Sequence, residues 1–206
     1  MGNALFLKHP EYLTIVDETG MRYHGADQEW FPLVWQRKAG CGPTTASNLV
    51  LYNRHQASPI GKTDMVRLME NMWNHITPGI MGVHLVSIFT KGLDEHLAEQ
   101  SLAYSIASLQ VAKDRFSRAS FEDITAFIEQ ALRSDQPVAF LNLSAGEVKN
   151  LDSWHWVTIV GLEQRDGEVF IHVYDGGTQW VIDLKLWYET TTRSGGFVCL
   201  QRTENL

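Results

Sequence analysis

Hydrophobic and polar positions along this chain change their period near its middle. From about Pro43 to Gln100 the apolar residues recur at three- and four-residue spacing, as on one face of a helix. From about Val138 to Gln201 they fall into short runs and alternations bounded by Gly, Asp and Asn. The first predicted helix follows Cys41-Gly42-Pro43: proline suits an opening helical turn, where its missing N–H is not needed, and Ala46, Leu49 and Val50 follow at helical spacing. The second carries Met65, Leu68, Met69, Met72 and Trp73 as one stripe, read as core packing. The third starts at Ser120, with Asp123 three residues on as a capping box, and buries Phe121, Ile124, Phe127, Ile128, Ala131 and Leu132.

Strands are predicted in QPVAFLNL, SWHWVTIVGLE, EVFIHVYD, TQWVIDL and GGFVCL, the second and third joined by a hairpin signal at QRDG. Helices first and an antiparallel sheet afterwards give an α+β fold. At 206 residues the chain has the size of one domain, 1–206, with a helical part over about 30–135 and a β part over about 136–206.

Composition narrows the function classes. Seventeen Lys+Arg against 24 Asp+Glu give a net charge of −7 with no basic run, which argues against a nucleic-acid partner. No apolar stretch reaches the roughly 18 residues of a membrane span, so no integral membrane segment is expected. The opening MGNALFLKHPEYL has no signal-peptide pattern, and Phe6 stands where a myristoylation motif beginning at Gly2 needs Ser or Thr. The expected location is cytoplasmic, or secreted if a signal has been removed. The sequon at Asn142 is then chance. IGKTD lacks a phosphate loop's first glycine, since Gln56 stands there, and HExxH, Gly-x-Ser-x-Gly and Cys-x-x-Cys are all missing, so no cofactor or metal is expected.

The candidate chemistry starts at Cys41. A cysteine opening a helix sits at the positive end of the helix dipole, which favours thiolate, and Gly40 and Gly42 leave room for a substrate. A nucleophilic thiolate needs a histidine that stabilises it and protonates the leaving group. Of eight histidines, His9, His24, His55, His75, His84 and His96 carry no further signal. His155 lies between Trp154 and Trp156 in a strand, on one face with Val157 and Ile159, where a polar ring needs a partner. His172 is the competing histidine.

Asp175 is the candidate orienter, and hairpin register decides whether it meets His155. A two-residue turn at Asp166-Gly167 puts Asp175 opposite Thr158, on the wrong face. A three-residue loop puts it opposite Val157, diagonal to His155 and in side-chain reach. The Cys-His-Asp reading therefore forbids the two-residue turn. Gln36 supplies an amide that, with the Cys41 backbone N–H, can donate to an oxyanion.

Taken in order, QRKAGCGPTTASNLV, WHWVTIVGLE and VYDGG resemble the papain-like cysteine peptidases, and are most similar to the branch of bacteriocin-processing, double-glycine-cleaving peptidase domains. The resemblance implies a two-lobed fold with Cys41 as nucleophile, His155 as base and acid, Asp175 as orienter and Gln36 as oxyanion donor. It implies a thiol hydrolase that cleaves a peptide or amide bond in a peptide or protein substrate through an acyl-enzyme. Gln36 stands five residues before Cys41, where this branch more often has six. An acyl transferase of the same fold uses the same three residues, and an inactive binding module of the same scaffold is the alternative outside enzymes. A structural Cys41–Cys199 disulfide is the third reading, although Cys199 reads as core. Trp154, Trp156 and Trp180 are candidates to shield the Cys–His pair from water. Nothing in the sequence sets the oligomeric state.

Overall fold

The computed structural model describes residues 3–54 and 59–203. Gly2, His55 and Gln56, weighed above, lie outside the described residues.

Helix α1 (Val34–Ala39) leads through Gly40 into α2 (Cys41–Asn53), in which all thirteen residues are buried. A helix covered on every side shows no polar stripe, and α2 is accordingly the central helix of the molecule. Helix α3 (Lys62–His75) buries Met65, Leu68, Met69 and Met72. Trp73 is half-buried and meets Phe31 edge-on at 5.6 Å. Helix α4 (Val86–Glu99) completes the helical part, and α5 (Phe121–Arg133) begins at the predicted Ser120–Asp123 box. There the Asp123 N–H donates to Ser120 Oγ at 3.0 Å and the carboxylate accepts the Ser120 N–H at 3.2 Å. A short α6 (Leu184–Thr190) precedes the last strand.

The main sheet is antiparallel. Strands β5 (Tyr104–Val111), β10 (Gly195–Arg202), β6 (Val138–Asn142), β7 (His155–Arg165), β8 (Glu168–Asp175) and β9 (Thr178–Asp183) lie in that order. Strand β1 (Asn3–Phe6) pairs with the second half of β7, beyond the stretch that pairs with β6. The sheet is therefore wider than the five predicted strands: it recruits β1 from the N-terminus and β5 from the stretch read as helical. A second sheet holds β2 (Thr14–Val16) between β3 (Arg22–His24) and β4 (Ile60–Gly61). Among the described residues no helix is long and apolar enough to cross a membrane.

Both faces of the main sheet are covered. Trp156 and Thr158 share one face; Trp156 stacks on Phe89 of α4 at 4.2 Å, and Thr158 accepts a hydrogen bond from Asn48 of α2. Phe140 and Phe197 lie on the other face, where Phe197 meets Phe127 of α5 and both meet Trp187 of α6. Asn142 of the sequon is fully buried, donating to the Asp152 carbonyl and accepting from the Trp187 indole, so its amide is structural. Cys41 and Cys199 are both free thiols, which removes the disulfide reading. Cys199 is a core residue of β10, opposite Val138 and Ala107, and burial pushes its thiol up to about 12.

Candidate active site

The loop before α1 is held by polar contacts that fix where the helix starts. The Arg37 guanidinium donates to the Phe31 and Pro32 carbonyls at 2.8 and 2.9 Å, and the Gln28 amide donates to the Arg37 carbonyl at 2.9 Å. The glycines around Cys41 are required by packing. A Cβ on Gly40 falls 2.4 Å from the Gln36 carbonyl oxygen and 2.6 Å from the Phe31 ring, and one on Gly42 falls 2.9 Å from Val83. Only glycine lets the start of α2 approach its neighbours this closely.

The start of α2 is tied to the sheet by one buried amide. Asn48, two turns after Cys41, donates from Nδ2 to Thr158 Oγ1 at 3.0 Å and accepts the Ala26 N–H at Oδ1 at 3.0 Å. Thr158 lies three residues beyond His155 on β7. The helix that carries the thiol and the strand that carries the imidazole are thus registered through a bond closed to water.

The hairpin of β7 and β8 reaches its register by a route the sequence reading excluded. Arg165 pairs with Glu168 across a two-residue turn, with positive φ at both Asp166 (53°) and Gly167 (84°). That turn alone places Asp175 opposite Thr158. The ladder shifts, however, between Ile159 and Gly161, so that Thr158 pairs with Tyr174. Val160 is the extra residue of a β-bulge, and the next step of the ladder sets Asp175 across from Val157, diagonal to His155. The forbidden two-residue turn is present, and the bulge supplies the missing residue.

His155 and Asp175 meet through Nε2 and Oδ1 at 2.8 Å. Cys41 acts on the same imidazole from the helix side, and with Nε2 taken by Asp175, Nδ1 is the ring nitrogen left for the thiol. Burial works against charge on this ring, but its interactions with Asp175, and after them with Cys41, outweigh it. The His155 pKa is raised from 6.5 to about 10. The ring is therefore held toward its charged form beside the Asp175 carboxylate.

Three of the four sequence candidates are thus brought together. Gln36, the fourth, is buried in α1 five residues before Cys41 and accepts the Leu33 N–H at Oε1, 3.3 Å, so that its NH₂ is the end left to donate. His172 belongs elsewhere: its ring nitrogens face Glu163 and Gln179, and its ring meets Phe6. Trp180 donates to the Asp175 carbonyl at 3.3 Å, while Trp156 is core and anchors the Val83 carbonyl at 2.6 Å. Of the three tryptophans, Trp154 is the one that lines the cavity at Cys41.

Sequence reasoning missed most of that cavity. It measures about 340 Å³, and Trp35, Lys38, Ile80, Met81 and Gly82 stand around Cys41 with Trp154. A signal was present in Gly79-Ile80-Met81-Gly82, two apolar residues between two glycines, since such a pair on a turn is exposed. The turn closes with the Gly82 N–H donating to the Gly79 carbonyl at 2.9 Å.

No family model matches this chain, and no curated protein matches it. Among solved structures it is similar to UfSP from C. elegans, with a TM-score of 0.57 at 11% identity. The match covers 100% of this chain and 35% of that one, so the chain spans about a third of the length of the structure it resembles. The α+β fold is papain-like. The likeness reaches that fold and does not extend to the double-glycine branch.

Proposed function

We propose that the chain is a cysteine peptidase, a thiol hydrolase that cleaves a peptide or amide bond of a peptide or protein substrate through an acyl-enzyme on Cys41. The observation that carries this reading is the His155 imidazole held between Asp175, at 2.8 Å, and the Cys41 side chain at the start of a buried helix. The chain acts as one unit, because α2 from the helical part and the β7–β8 hairpin from the sheet each supply part of the triad.

The Cys41 thiolate attacks the scissile carbonyl carbon, forming the C–S bond and moving an electron pair onto the carbonyl oxygen. The Cys41 N–H, which as a first-turn donor has no intrahelical acceptor, and the Gln36 NH₂ stabilise that oxyanion. His155 gives its Nδ1 proton to the leaving nitrogen as the C–N bond breaks, and a thioester remains. Water then attacks the thioester as His155 takes its proton, the C–S bond breaks, and the carboxylic product leaves. Asp175 keeps Nε2–H pointed away from the thiol and stabilises the charged ring throughout.

The test is iodoacetamide alkylation of Cys41 as a function of pH, read by peptide mass spectrometry on the native chain and on His155→Ala. Rapid alkylation below pH 7 that depends on His155 is the expected result. Cys199, buried and pushed up to about 12, is the unreactive internal control. A Cys41 that alkylates as slowly as Cys199, with and without His155, overturns the reading.

A further inference from the structure

The surroundings of Cys41 contain more than the chemistry of bond cleavage requires. Ile80 is 98% exposed and Met81 54%, and with Trp35 and Trp154 they leave four large apolar side chains in water around one nucleophile. Contiguous exposed apolar surface of this kind marks a place where a partner binds. The turn that presents Ile80 and Met81 is fixed at its base, where the Val83 side chain packs on Gly42 and its carbonyl accepts the Trp156 indole. Trp154 is held at φ 61°, a left-handed conformation that costs a bulky residue of order 1 kcal/mol or more. The fold sustains that strain in the residue before His155 and uses the ring as a wall of the cavity.

Charge at the rim runs against the charge of the chain. The whole protein carries −7, yet the charged residue of the cavity lining is Lys38, and the Arg193 guanidinium lies 5.1 Å from the Trp154 ring centroid. Among the described residues neither cation has a carboxylate within ion-pair distance. An apolar pocket of about 340 Å³ flanked by two unpaired cations is complementary to an apolar side chain next to an anion.

We propose that the segment this site acts on carries a large apolar side chain, which fills the pocket of Trp35, Ile80, Met81 and Trp154, beside an acidic residue whose carboxylate is recognised by Lys38 and Arg193. The inference rests on Cys41 being the nucleophile. A pair of glycines at the cleavage point leaves this pocket empty and both cations unpaired.

The test uses the full chain and acetyl-dipeptide chloromethyl ketones that place leucine beside glutamate, glutamine or lysine, in both orders, with glycylglycine as the reference. The rate of Cys41 alkylation is read by mass spectrometry, and iodoacetamide serves as the probe without side chains. In at least one order the Leu/Glu probe is expected to react about tenfold or more faster than glycylglycine, from burial of one leucine side chain. It is expected to react about tenfold faster than its Leu/Lys counterpart, with the advantage shrinking as salt rises. In the double variant Lys38→Glu, Arg193→Glu the Glu/Lys order inverts, each probe's rate being taken relative to the iodoacetamide rate of the same variant. Equal rates for Glu and Lys probes in both orders, beside fast iodoacetamide alkylation, overturn the proposed specificity and leave the nucleophile standing. Failure of iodoacetamide at Cys41 overturns both.

Discussion

The charge on Asp175 sets how far the His155 proton is held, and Asp175→Asn isolates that charge because the amide oxygen can still accept from Nε2–H. At about 4 Å between charge centres and an effective dielectric of about 20, the pair is worth about 4 kcal/mol. The Asp175 side chain is 32% exposed, so solvent screening brings this to about 2 kcal/mol, or about 1.5 pH units. The His155 pKa is therefore expected to fall from about 10 to roughly 8.5 in the variant. Between 6.5 and about 10 the folded protein binds a proton that the unfolded chain releases, so this contribution is complete below pH 6.5 and is lost as pH rises through 10. Asp175→Asn is thus expected to cost about 2 kcal/mol near pH 6 and almost nothing above pH 10. ¹⁵N-histidine NMR reads the titration, with His155→Gln to assign the resonance, and urea unfolding at a series of pH values reads the stability. A His155 titration that does not move on loss of the carboxylate refutes the argument that Asp175 holds the imidazolium.

Two further perturbations test how the site is built. Asn48→Ala strands the Thr158 hydroxyl and the Ala26 N–H in the interior and is expected to cost about 1–3 kcal/mol in urea unfolding, with slower Cys41 alkylation at pH 6 as α2 loosens from β7. An unchanged midpoint removes Asn48 as the link between helix and strand. At Trp154, glycine adopts positive φ freely and alanine does not, so Trp154→Gly is expected to be more stable than Trp154→Ala by about 1 kcal/mol in the same assay. Equal stabilities show that the backbone there is unstrained.

The parts of the fold that were legible in the sequence are those whose apolar periodicity points at the core. The stripe of α3, the capped face of α5 and the runs of β6 and β7 obey this, as does the proline-opened α2. The small elements did not reveal themselves, because the signal inverts where apolar side chains face outward. Helix α1 turns Val34 and Trp35 outward, at 59% and 49% exposure, and buries Gln36. A periodicity argument reads such a segment backwards. Strand β5 fails for another reason: at the sheet's edge it alternates exposed and half-buried residues, and its serines and glutamine give no contrast.

The register of the β7–β8 hairpin brings His155 and Asp175 together although the residue count behind that expectation does not hold. Counting residues back from Asp166-Gly167 assumes one residue per ladder step, and under that assumption His155 and Asp175 cannot meet across a two-residue turn. The assumption fails at Val160, and the sequence carried a mark of it. Gly161 is an isolated glycine inside an otherwise apolar strand, the position at which a bulge or a close approach is anticipated. Both occur there: the ladder shifts beside it, and a Cβ on Gly161 falls 2.3 Å from the Phe6 ring of β1. The strand that pairs across the second half of β7 thus needs a glycine at the place where the bulge re-aims the first half. The turn sequence fixes the loop length and Gly161 marks the compensation, and only the two together place the carboxylate on the imidazole.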